Sequence, residues 1–94
     1  MNYYAVFLSM RDEELSQKYR PEHLAYLEKL TEEGKVFTYG RFADGAGGLI
    51  IYQADSLEEA TAYAKEDPYV QLKARDFEIH EWVFNKEALY KAIK

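Results

Sequence analysis

The run Tyr3-Tyr4-Ala5-Val6-Phe7-Leu8-Ser9-Met10 is short, nearly continuously apolar and rich in strand formers, which predicts a first strand over residues 3–10. A loop or short helical piece, Arg11 to Tyr19, follows. Pro21 suits the first turn of a helix, where its missing N–H does no harm, and that helix runs to about Glu33 with Gly34 just past its end. Lys35 to Phe42 predicts a second strand, Asp44-Gly45-Ala46-Gly47-Gly48 a turn, and Leu49 to Ala54 a third strand, so this pair is a hairpin. Ser56 with Glu59 three residues later matches a capping box, opening a helix from Leu57 to about Lys65 that Asp67-Pro68 breaks. A short turn or helix covers Tyr69 to Ala74, a fourth strand Asp76 to Phe84, and a terminal helix Lys86 to Lys94.

The order is βαββαβ. With right-handed crossovers it predicts an α+β, ferredoxin-like arrangement: a four-stranded antiparallel sheet with the helices on one face. No internal repeat, low-complexity tract or linker divides the chain, so residues 1–94 are expected to form one domain.

A sheet covered by helices on one face and by water on the other should alternate apolar and polar side chains. The first strand does not, because Tyr3, Ala5 and Phe7 point one way and Tyr4, Val6 and Leu8 the other. Leu49-Ile50-Ile51-Tyr52 and Trp82-Val83-Phe84 are apolar or aromatic on both faces as well. The open face is therefore expected to meet a second copy of the chain, forming a homodimer. The alternative is that the terminal helix folds over it with Leu89, Tyr90 and Ile93.

Composition narrows the field. A 94-residue chain with 48% hydrophobic and 31% charged residues can build one small core and stay ordered. A net charge of -5 and scattered lysines argue against nucleic-acid binding, which needs a basic stripe. The lack of cysteine removes disulfides, thiolate metal sites and a cysteine nucleophile, and it is compatible with a reducing cytosol. The N-terminal residues lack a basic region, and their apolar run is too short for a signal peptide or a membrane span, so a cytoplasmic location is expected.

Against this background His23 is the residue that asks for a reason. At about 100° per residue, Tyr19, Tyr26, Leu27 and Leu30 lie within about 60° of it, near the middle of the apolar face of its helix. Arg20 lies about 60° to its side, one turn earlier. On helix position alone, a hydrogen-bonded core histidine is the simpler role. A nearby carboxylate would change that by orienting the ring and raising its basicity. Asp67, fixed before Pro68, is one partner, and Asp44 in the Asp-Gly turn is the competing one, although Asp-Gly is also ordinary hairpin chemistry. The glycines of that turn lack the strand–GxxxxGK–helix context of a phosphate loop. His80 shares a strand face with Glu78 and Trp82, and two histidines without ligand spacing give no basis for a metal, so none is expected. Glu81 shares the other face with Phe77, Ile79 and Val83 and is expected to be partly buried, at the edge of the dimer contact or as a site carboxylate.

Several blocks together resemble the YciI-like (YCII-related) family. They are the YAVFL strand; Arg20, Pro21, His23 and Leu24; Glu32, Gly34, Val36, Gly40 and Phe42; Ala43-Asp44-Gly45 with Gly47-Gly48; Ser56, Glu58, Glu59 and Ala60; Asp67-Pro68-Tyr69-Val70; and the final Glu81-Trp82. One departure is Arg41, where relatives often carry proline after the glycine. The resemblance implies a ferredoxin-like fold that dimerises as an α+β barrel, similar to muconolactone isomerases. It also implies a His–Asp site at His23 and Asp67, with Arg20, Asp44 and Tyr69 as further site residues. One branch of the family is similar to dehydrochlorinases of chlorinated hydroxyquinols, and no residue here assigns the chain to that branch.

The function expected is a cofactor-independent enzyme. His23, held by Asp67, would move a proton in an isomerisation or elimination on a small cyclic or aromatic molecule, with Arg20 neutralising a carboxylate or phenolate and Tyr69 donating a hydrogen bond. The alternative is a non-catalytic small-molecule-binding or interaction module of the same dimeric fold, with His23 and Asp67 as a polar latch or structural pair. A purely structural or domain-swapped oligomer without ligand is the third possibility.

Overall fold

The computed structural model describes residues 1–93, so Lys94 at the end of the expected terminal helix lies outside the described residues. The elements are β1 (Asn2–Met10), α1 (Glu13–Lys18), α2 (Arg20–Glu32), β2 (Val36–Arg41), β3 (Gly47–Ala54), α3 (Leu57–Glu66), α4 (Pro68–Gln71), β4 (Arg75–Glu81) and α5 (Lys86–Ile93). All strand pairs are antiparallel, in the order β2-β3-β1-β4. This is the expected α+β sheet with β1 and β3 at its centre. The helices start where the side chains can satisfy free N–H groups: Asp12 accepts from Leu15 N, Ser56 from Glu59 N and Asp67 from Tyr69 N, while α2 has Pro21 in its first turn and no side-chain cap. Gly34, at φ +76, ends the second helix segment in the left-handed region that glycine tolerates.

The core lies between the sheet and the helices. Tyr4, Val6 and Leu8 of β1 face Tyr52, Ile50 and Gly48 of β3, and Leu27 and Leu30 of α2 and Ala60 and Ala64 of α3 close over them. Gly47 is needed at the hairpin: its φ is +138, and a Cβ there would sit 1.9 Å from the Leu8 carbonyl oxygen.

β2 carries one extra residue. Val36 pairs with Tyr52 but Thr38 pairs with Ile51, so Phe37 is the inserted position of a bulge. Strict alternation from Val36 would send Arg41 to the open face. The bulge instead sets Tyr39 opposite Ile50 and Arg41 opposite Gly48, in register with the helix-covered side.

Three expectations change. The fourth strand ends at Glu81 rather than Phe84, and beyond it only Trp82 N still bonds Tyr3 O. Glu81 is exposed, not partly buried: it is the last residue of the edge strand β4, past Phe77 and Ile79, which are partly buried on the same face. The terminal helix buries none of its described residues, and Tyr90 and Ile93 are 72% and 71% exposed, so it does not seal the open face. The side chain that folds back there is Phe84, whose ring packs on Tyr3 at 4.8 Å and on Phe37 at 5.4 Å.

Candidate functional site

α2 and α4 build the centre of the site. His23, in the first turn of α2, is 8% exposed, and Asp67, at the start of α4, is fully buried. They meet: His23 Nδ1 lies 2.8 Å from Asp67 Oδ1 and 3.0 Å from Oδ2. An ionised carboxylate only accepts, so Nδ1 carries the proton and donates it to Asp67. This tautomer leaves the Nε2 lone pair free. Nε2 has no hydrogen-bond partner among the described residues, and the side chain, 10% accessible, lines a cavity. Asp67 Oδ1 also accepts the Tyr69 N–H at 2.9 Å, so one oxygen both caps α4 and holds the histidine.

Pro68, the first residue of α4, sets the chain so that Tyr69 comes back under His23. The two rings stack, with centroids 3.8 Å apart and planes 13° from parallel. That contact leaves the other face of the phenol to Arg75, whose guanidinium carbon lies 4.5 Å from the Tyr69 centroid. Arg75 is held in turn by Ser16, a buried residue of α1, which accepts its Nε–H at 3.1 Å. Burial pushes the Tyr69 phenol above its usual range, and the positive charges of Arg75 and Arg20 pull against it. Burial also lowers the Arg75 guanidinium, while Tyr69 and Asp67 favour its charge.

Beside the pair lies a cavity of about 190 Å³, lined by His23, Tyr69 and three arginines and walled by Leu8, Leu27, Ile50 and other apolar side chains. A second cavity of about 330 Å³ shares Arg20, Arg41, Tyr69 and Arg75 with it, so the two form one cleft that opens past α1. Behind Asp67, burial drives the Tyr52 phenol far up, with Asp67 adding to the shift; its hydroxyl is sealed in without a partner. Tyr26 is raised by burial first and then by the charges of Glu66 and Asp67, and its O–H donates to the Tyr63 carbonyl at 2.7 Å.

The expected residues do not all belong here. His23, Asp67 and Tyr69 are in mutual contact, and Arg20 lines both cavities. Asp44 does not join them: it is exposed, and its carboxylate accepts the Ala46 N–H at 2.9 Å within its own turn. His80 pairs with Glu78 at 3.1 Å on the exposed side of β4. Arg41 and Arg75 went unrecognised in the sequence as pocket residues, as did Ser16. The signal for the arginines was composition: Arg20, Arg41 and Arg75 are three of the chain's four arginines, while lysine serves the rest of the surface.

Comparison with known proteins locates this architecture. A model of the YCII-related domain matches residues 1–83. The chain is 34% identical over 84 residues to the uncharacterised protein YjpA of Bacillus subtilis, covering 89% of this chain and 99% of that one. It is 39% identical over 61 residues to protein YciI of Escherichia coli, covering 54% and 62% of the two. Among solved structures, it superposes on 5-chloro-2-hydroxyhydroquinone dehydrochlorinase (TftG) of Burkholderia phenoliruptrix, in complex with 2,5-dihydroxybenzoquinone, with a TM-score of 0.77 at 21% identity, covering 90% and 97% of the chains. That likeness establishes the shared fold. No helix among the described residues is long and apolar enough to cross a membrane.

Proposed function

The chain belongs to the YCII-related family, and from that premise we propose that it is a cofactor-independent enzyme performing general acid/base chemistry, an isomerisation or elimination, on a small cyclic or aromatic molecule. The observation that carries the proposal is the geometry of His23: Nδ1 anchored on a fully buried carboxylate, Nε2 unpartnered among the described residues, and a cavity against the ring. Asp67 fixes the tautomer and compensates the positive charge that forms on the imidazole. Nε2 takes a proton from a carbon or hydroxyl of the substrate. In an isomerisation the imidazolium returns that proton at a second position of the same molecule. In an elimination the leaving group departs with its bonding pair and the proton passes to solvent. Arg20 neutralises the anionic oxygen that develops, and Tyr69 aligns His23 by stacking. The same fold in a dehydrochlorinase of 5-chloro-2-hydroxyhydroquinone supports the choice of chemistry.

The test is a turnover assay with 5-chloro-2-hydroxyhydroquinone and a panel of ring lactones, read by chloride release and by proton exchange from deuterated solvent. His23→Ala is expected to lower the rate ~10²–10⁴-fold. Full activity in that variant would remove the mechanism. The parallel stacking of Tyr69 on His23 also fits a non-catalytic ligand latch. That alternative predicts thermal stabilisation by phenols or quinones in wild type, loss of that stabilisation in His23→Ala, and no turnover by either.

A second copy of the chain is the occupant we propose for the open face, closing the two sheets into an α+β barrel. Tyr3, Phe37, Trp82 and Phe84 form one aromatic cluster there, with Phe37 and Trp82 37% and 45% exposed. Light scattering would then give twice the chain mass of 11.0 kDa. The cytoplasm is the compartment we propose, and a chain without cysteine is compatible with it.

A further inference from the structure

Three guanidinium groups surround one cleft in a chain that has 17 acidic and 12 basic side chains. Arg11, the remaining arginine, pairs with Asp76 at 3.3 Å. Among the described residues, none of Arg20, Arg41 and Arg75 makes an ion pair. The inner cavity has no carboxylate among its described lining residues, and Glu13 stands on the wall of the outer one. Like charges gathered at a partly dry site repel one another unless an anion enters, and planar guanidinium forks suit carboxylates and related oxyanions.

The three do not stand at one point. Arg75 opens β4 and Arg41 ends β2, the two edge strands of the sheet. Three strand spacings of ~4.8 Å put those edges about 14 Å apart. Arg20 and Arg75 belong to one end, where both act on the Tyr69 phenol and each other. Arg41 enters from the other end, beside Tyr39 and Gly40, turned inward by the bulge at Phe37. Between them the floor is apolar, made by Leu8 and Ile50, and Gly48 adds no side chain to it.

We propose that this cleft selects a small cyclic dianion whose two anionic oxygen groups lie across the ring from each other, one bound by Arg20 and Arg75 beside Tyr69 and the other by Arg41, so that Arg41 is the residue that distinguishes dianions from monoanions. The inference deepens the assignment of this cleft as a small-molecule site and does not depend on the proton-transfer step.

Isothermal titration at neutral pH and low salt, with benzoate, benzene-1,4-dicarboxylate and phenyl phosphate as probes, tests it. The dicarboxylate is expected to bind at least about tenfold tighter than benzoate. Arg41→Gln should remove about tenfold from the dicarboxylate and leave benzoate within about twofold, whereas Arg20→Gln should weaken both. Arg41→Lys, which keeps the charge, should recover part of the loss. Arg41 is exposed, so its variants should keep the fold, checked by circular dichroism. Equal affinity for benzoate and the dicarboxylate, equal losses for both in Arg41→Gln, tightest binding of phenyl phosphate, or no binding of the dicarboxylate would each overturn the proposal. Failure of the catalytic proposal looks different: His23→Ala would keep its turnover while the Arg41-dependent preference persisted.

Discussion

One histidine–carboxylate pair lies between helices on the covered side of the sheet and one on β4 at the open face, and the two behave as opposites. On the helix-covered face His23 and Asp67 meet at 2.8 Å with side chains 10% and 0% exposed. On the open face His80 and Glu78 meet at 3.1 Å with side chains 71% and 69% exposed. The residue chemistry is nearly the same. The first pair is fixed by a helix cap, a stacked phenol and a proline-set turn. In the single chain the second is mostly solvated, and exposed pairs of that kind contribute little to its stability. Proximity of a base and an acid is thus common, and it becomes a site only where packing fixes the tautomer and leaves a cavity beside the free nitrogen.

The sharpest test of this contrast is kinetic: His23→Ala should cost ~10²–10⁴ in turnover and His80→Ala nothing measurable. Next is stability. Asp67→Ala strips the α4 cap and strands the buried imidazole, and an expected loss of about 3 kcal/mol would be read from urea unfolding. A gain on that substitution would instead indicate a pair kept for function at the expense of the fold.

Alkaline titration probes the helix-covered side alone, where the raised phenols Tyr26, Tyr52 and Tyr63 lie. A phenol whose folded pKa is raised binds more protons folded than unfolded, so its contribution is complete below pH ~10 and falls as pH rises above it. Tyr52 alone should make stability fall by about 1.4 kcal/mol per pH unit above that point. Tyr63, pushed up to about 12, follows the same sign but is mostly solvent-screened. Tyrosinate absorbance from Tyr26 and Tyr52 should therefore appear only with the loss of helical circular dichroism.

On the open face, Phe84→Ala removes the ring shared by Tyr3, Phe37 and Trp82 and should weaken self-association about tenfold by sedimentation equilibrium while leaving the His23 site intact. The smallest effect belongs to His80→Ala, which should change unfolding free energy by less than about 0.5 kcal/mol.

Much of this was legible along the chain because it rests on local rules. Period-2 and helical patterns, Pro21, Gly34, the Ser56 cap and the Asp67-Pro68 break are encoded within a few residues, and they set the element order. The placement of His23 on the buried face of its helix was legible for the same reason. Where local signals stopped, so did the fit: the aromatic run Trp82-Val83-Phe84 has strand propensity but leaves the ladder after Glu81, and Asp44 looks like a histidine partner until its own turn claims its carboxylate.

The sequence by itself therefore determined the βαββαβ order, the bounds of the two long helices α2 and α3 to within a residue, and a histidine that needs a partner in a core, because each follows from interactions between near neighbours. Only the tertiary structure decided that the partner is Asp67 rather than Asp44, since that choice depends on two residues 44 apart in sequence being brought together by helices packing side by side. It also decided which way Arg41 faces. A single extra residue at Phe37 reverses the parity of the strand, and strand parity past a bulge is set by hydrogen-bond register with β3, which the side-chain pattern of β2 does not contain.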